Sequence, residues 1–104
     1  MNKNTGGAKK ERVIEMYKAV LTLETVEEAM KFFDDLCSVT ELRAIEQRYQ
    51  VATHLANGDI YNTILEKTGA SSATISRVNR SLLYGAGGYE IVFGRLNKDG
   101  ETDE

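Results

Sequence analysis

Apolar residues in this chain recur at intervals of three and four and seldom alternate, a pattern that predicts helices from end to end. Val13, Tyr17, Val20 and Leu21 stand at offsets 0, 4, 7 and 8 and predict a first helix near 10–22. Thr25-Val-Glu-Glu28 has the form of a capping box, in which hydroxyl and carboxylate satisfy amides at a helix start. Val26, Ala29, Met30, Phe33, Leu36 and Cys37 follow it at offsets 0, 3, 4, 7, 10 and 11, the cleanest stripe in the sequence. A second box, Ser38-Val-Thr-Glu41, opens a third helix with Leu42, Ile45, Tyr49, Ala52 and Leu55, which ends at Asn57-Gly58.

Asp59 is placed to cap a fourth helix bearing Ile60, Ile64 and Leu65. Gly69 interrupts the pattern, and Ser71 or Ser72 can cap a fifth helix with Ile75, Val78 and Leu82 on one side. Gly85-Ala-Gly-Gly88 interrupts it again, as a hinge. Tyr89, Val92, Phe93 and Leu96 then make a short last helix, and the polar remainder is expected to fray. The fold class is therefore all-α with six helices. Its organisation reads as a flexible basic arm over 1–9, a single helical domain over 10–97 and a flexible acidic tail over 98–104. Proline is absent, and no internal repeat is visible.

A chain of 104 residues buries only a modest core by itself, and several of these helices are too short to stand alone. With many aromatics for so small a core, a dimer is expected. No run of apolar residues is long enough to span a bilayer and no charged-then-apolar leader opens the chain, so a cytoplasmic protein is expected. Cys37 has no partner thiol and falls in an apolar stripe, where it reads as a small buried hydrophobe.

The net charge of −3 argues against a protein that coats nucleic acid by bulk charge, but the charges are segregated. Residues 1–12 carry four Lys or Arg against one Glu, and residues 13–58 carry four basic against eight acidic. Residues 59–84 carry Lys67, Arg77 and Arg80 against Asp59 and Glu66, a locally positive window.

Within that window, Ile64, Gly69, Ile75 and Val78 have the spacing of a helix-turn-helix over about 59–84, with Gly69 entering a left-handed turn at low cost. Fixing Ile75 and Val78 inward turns Ser72, Ala73, Ser76 and Arg80 outward. Short side chains let a helix backbone approach base edges in a major groove, and hydroxyls can donate or accept there. The amides around Ser71 to Thr74 can meet phosphate, with Lys67, Arg77 and Arg80 nearby. The other reading is a plain solvated face, or a helix-turn-helix scaffold reused to bind protein.

Nothing in the sequence supports catalysis or a cofactor. Asp34 and Asp35 are adjacent and so lie on different faces of a helix, and no Cys, His or carboxylate set has metal spacing. His54 is a lone surface or packed histidine, and the Gly85–Gly88 run lacks the lysine of a phosphate loop.

Residues 36–82, and above all Gly69-Ala70, Ala73-Thr74-Ile75-Ser76-Arg77, Ser81 and Arg48, resemble the Trp repressor family. The resemblance implies an intertwined all-helical homodimer that regulates transcription at a double-stranded DNA operator. It places Tyr61 and Asn62 near the DNA backbone and Ser72, Ala73 and Ser76 towards the bases. It also implies an effector pocket: Arg48 and Arg77 match the arginine pair that holds the ring of free tryptophan, and Ser38 and Ser81 match hydroxyls near its charged end.

The departure is Val78, where the repressor has a glycine that leaves room for the ligand. A branched side chain there either fills the slot or overpacks it at a cost of roughly 1–3 kcal/mol. Tryptophan is therefore not expected to bind, and the chain is similar to the Trp-repressor-related subfamily of Gram-positive bacteria, whose effector is not implied. Without a ligand, Arg48 and Arg77 can instead pair with Glu41, Glu46 or a DNA phosphate.

Overall fold

The computed structural model describes residues 11–102, with side chains up to Lys98, so the basic arm over 1–9 lies outside the described residues. Six helices follow in order: α1 (Ile14–Val20), α2 (Val26–Leu36), α3 (Val39–Ala56), α4 (Tyr61–Thr68), α5 (Ser72–Tyr84) and α6 (Gly88–Thr102). They fall into two compact units, one ending at Val39 and the other beginning at Thr40.

In the first unit, α1 is shorter than its apolar pattern. Val13 at its N-cap has no side chain to accept an amide, and Thr22 and Leu23 close its end by i→i−3 bonds to Ala19 and Val20. The capping box of α2 forms with a shift. Thr25 Oγ1 accepts from the Glu28 amide at 3.0 Å, but Glu28 Oε1 accepts from the amide of Glu24, one residue before the cap, at 2.9 Å. The clean stripe of α2 stays open: no residue of α1 or α2 is fully buried. Cys37, expected to be buried, is half-buried, because it forms the C-cap, where the chain leaves the helix in an extended conformation.

In the second unit, Val51, Ala52, Ile64, Ala70, Ile75 and Val78 form the core, with Leu55, Leu65, Leu82, Tyr89 and Phe93 packed around it. The inward face of α3 therefore runs through Val51, Ala52 and Leu55, whereas Ile45 and Tyr49 of the expected stripe are exposed. Tyr49 instead meets Phe93 edge-on, ring centroids 5.9 Å apart, and Phe93 stacks at a tilt on Tyr89 at 5.7 Å.

α6 is longer than the short last helix its apolar residues mark. It runs from Gly88 to Thr102. Apolar periodicity marks where a helix is buried, while propagation beyond that point needs one hydrogen bond per residue and no buried side chain.

Candidate nucleic-acid interface

α4 and α5 are joined by Gly69, Ala70 and Ser71, and each of the three has a defined task. Gly69 has φ +71°, in the left-handed region that glycine enters without strain, and its amide donates to Leu65 O at 2.9 Å to close α4. Ala70 is buried, which carries the turn inward against Ile64 and Ile75. Ser71 is the N-cap of α5: its Oγ accepts from the Thr74 amide at 3.1 Å, and its own hydroxyl donates to Thr74 Oγ1 at 3.1 Å.

That cap narrows the expected phosphate site. Ser71 occupies the Thr74 amide, and Thr74 is half-buried, so the amides of Ser72 and Ala73 are the ones left at the head of the helix. Ser71 and Thr74 thus serve the turn itself.

Ile75 and Val78 are buried, and this rotates the opposite side of α5 to solvent. Ser72, Ser76 and Arg80 stand at successive intervals of four along it, with Ala73 and Arg77 beside them, all exposed. On α4, Tyr61, Asn62 and Lys67 are exposed as well. The residues read as DNA-facing on these two adjacent helices are therefore exposed, Thr74 excepted, and they combine short side chains with three cations.

The start of α4 is not as expected. Ile60, which has no capping side chain, occupies the N-cap. Asp59 is turned back to α3, where its Oδ2 lies 2.7 Å from His54 Nδ1. A carboxylate can only accept, so Nδ1 carries the proton. The sequence signal for this pair was the Asn57-Gly58 turn, with Gly58 at φ +87°, which folds residue 59 back on the last turn of α3.

The far end of α4 is also tied to α3. Gln47 Nε2 donates to Thr68 O at 3.2 Å, while the Thr68 hydroxyl donates to Ile64 O at 2.7 Å and accepts from the Ala70 amide at 3.1 Å. Neither Gln47 nor Thr68 has an apolar or charged signature, and no motif pointed to them.

Of the residues read as an effector pocket, Arg48, Arg77 and Ser81 are exposed, and Ser38 belongs to the first unit. Val78 is 2% exposed and stands among Val51, Ile64 and Ile75 as part of the core. Ser81 borders a separate hollow of about 410 Å³ whose wall is formed by Tyr49, the Gly85–Gly88 loop, Tyr89 and Val92. Among the described residues, no cluster of His, Cys, Asp or Glu can hold a metal ion, and no helix is long and apolar enough to cross a membrane.

The family model of the Trp repressor protein matches residues 11–97. The YerC protein of Bacillus subtilis strain 168 is 44% identical over 89 residues, covering 86% of this chain and 85% of its own. A crystal structure of a candidate Trp repressor of Staphylococcus aureus superposes with a TM-score of 0.78 at 48% identity, over 82% of this chain and 85% of that one. A TrpR-like protein of Eubacterium eligens superposes equally well, with a TM-score of 0.78 at 49% identity, over 82% and 88% of the two chains.

Proposed function

Because the chain belongs to the Trp repressor family, we propose that it is a cytoplasmic bacterial regulator that binds a double-stranded DNA operator sequence-specifically as a homodimer and represses transcription. The family is one of transcription regulators rather than enzymes. The observation that carries the reading is the exposed face of α5, Ser72, Ala73, Ser76 and Arg80, held outward by buried Ile75 and Val78. The helix backbone can approach base edges closely across Ser72 and Ala73. Tyr61, Asn62 and Lys67 on α4 and Arg77 on α5 fix the register on the phosphates, assisted by the amides of Ser72 and Ala73.

The regulator does not answer to tryptophan. Val78 stands where the family has a glycine beside its ligand, and here that side chain is buried in the core. Those two arginines, freed from a ligand, serve the DNA backbone instead. A dimer is supported by the open apolar faces of α1 and α2.

Enrichment of bound fragments from a random DNA pool tests this reading. A twofold-symmetric consensus with half-sites about one helical turn apart is expected, since a symmetric dimer presents two reader helices. Retention should fall steeply with salt as phosphate contacts release counterions. A protein that retains no DNA at low salt is instead a protein-binding module on the same scaffold.

A further inference from the structure

α4 carries one side of the proposed DNA surface, yet with eight residues it is too short to be held by its own hydrogen bonds. Its apolar anchorage is fully buried Ile64 with the adjacent, partly buried Leu65. Two adjacent anchors near the middle fix the position of a short rod better than its direction. The direction is fixed at the two ends. At the start, the His54 imidazole donates to Asp59, the residue before the N-cap. At the finish, the Gln47 carboxamide donates to the carbonyl of Thr68, the last residue of α4, whose oxygen has no acceptor role inside the helix.

The two donors are seven residues apart on α3, two turns along one face, with buried Val51 between them. α4 thus runs back along α3, fastened before its first turn and after its last. The second fastening reaches into the turn before α5 as well. Thr68, held by Gln47, uses its hydroxyl to accept from Ala70 and so ties the end of α4 to the turn that leads into α5.

We infer that Gln47 and His54 are positioning residues of the DNA reader, a two-point latch by which α3 sets the direction of α4, and through Thr68 that of α5, without any small molecule. This rests on the DNA-binding reading above and deepens it: orientation that a corepressor could supply from outside is built into the chain. Neither side chain is part of the exposed face of α4 and α5, so the latch acts on discrimination rather than on attraction. A tilt of the reader moves Ser72 and Ser76 off base edges while Lys67 and Arg80, on long flexible stems, still find phosphates.

The test compares wild type with Gln47→Met, His54→Phe and His54→Asn on two probes, a duplex selected from a random pool by the wild-type protein and a scrambled duplex of the same length. Met keeps the length of Gln without its donor, and Asn keeps a donor near the place of Nδ1. Gln47→Met and His54→Phe should each weaken binding to the selected duplex by roughly three- to tenfold, the factor a net hydrogen bond supplies. Both should leave the scrambled duplex and the salt slope unchanged, and His54→Asn should stay within about twofold of wild type. Amide exchange of Gly69 and Ala70, followed without DNA, should quicken in Gln47→Met.

Equal losses on both duplexes, or wild-type affinity in both donor-less variants, would overturn the latch. Should His54→Phe fail to fold, Gln47→Met alone decides. If the wild-type protein selects no DNA at all, the DNA reading falls and takes the latch with it; that outcome is read on the wild type and is distinct from the others.

Discussion

Replacing Val78 with glycine restores the residue that the Trp repressor has beside its ligand, and the structure sets what this costs. The isopropyl group is 2% exposed and surrounded by Val51, Ala52, Ile64 and Ile75, so its removal forfeits the transfer energy of a buried Val, about 1.5–3 kcal/mol. Glycine in the middle of α5 costs about 1 kcal/mol more in helix propensity. The sum is about 2.5–4 kcal/mol, a large share of the roughly 5–15 kcal/mol that holds a domain folded. Val78→Ala separates the two contributions, because it removes most of the buried carbon without the backbone penalty. Urea unfolding at fixed protein concentration measures both variants. The same samples titrated with tryptophan in a calorimeter test the slot: wild type should give no saturable heat. A loss below about 1 kcal/mol in Val78→Gly would show that Val78 does not carry the core. Micromolar binding of tryptophan to wild type would show that it does not close the slot.

Ser76→Glu puts a carboxylate in the middle of the exposed face of α5, so operator binding should vanish while circular dichroism and the elution volume stay as in wild type; unchanged binding would take α5 out of the groove. Two glycine replacements should differ in origin. Gly69→Ala meets nothing within 4 Å but must hold φ +71°, which costs about 1–2 kcal/mol of left-handed strain. At Gly85, where φ is negative, an added Cβ collides with the Ser81 carbonyl oxygen that accepts the Gly85 amide, so Gly85→Ala should break the end of α5 and lower the melting temperature further than Gly69→Ala. The reverse order would assign the strain to the wrong turn.

Helices announce themselves through apolar faces, which made α2 legible although its face stays open, and the inside of the second unit was legible where a tight turn restricts residue types. Gly69 and Ser71 mark the α4–α5 turn, and Ile64, Ile75 and Val78 mark its inside, because a tight crossing admits few residue types. The outward set of Ser72, Ala73, Ser76 and Arg80 then follows from geometry. What stayed hidden is of two kinds. Val51 was missed because α3 has two apolar sides, and periodicity alone does not say which of them, Val51-Ala52-Leu55 or Ile45-Tyr49, meets the rest of the unit. Gln47, Thr68 and the His54–Asp59 pair were missed because long-range hydrogen bonds depend on how helices are placed, and a polar residue's sequence neighbours say nothing of a partner 21 residues away. α6 overran its apolar stretch for the reason that helix propagation is local.

The open faces of α1 and α2 can be turned into a measurement of assembly. Leu21, at the end of α1, is 84% exposed, and Val26 and Met30, in the stripe whose apolar spacing is cleanest, are 76% and 60% exposed. A monomer has no reason to keep such a stripe, since exposed large apolar groups in a row promote association. If a second copy covers it, folding is bimolecular, and each tenfold dilution should remove about 1.4 kcal/mol from the apparent stability. The unfolding midpoint in urea should therefore fall as the protein is diluted. Met30→Glu sharpens the test. On a solvated helix face the substitution is worth within about 0.5 kcal/mol either way. Within a covered interface it places an unpaired charge among apolar groups, which costs several kcal/mol and should split the dimer in sedimentation. A midpoint independent of concentration, together with a silent Met30→Glu, would mean that α1 and α2 face water. Two reader helices would then not be linked, and the symmetric operator expected of the dimer would have no basis.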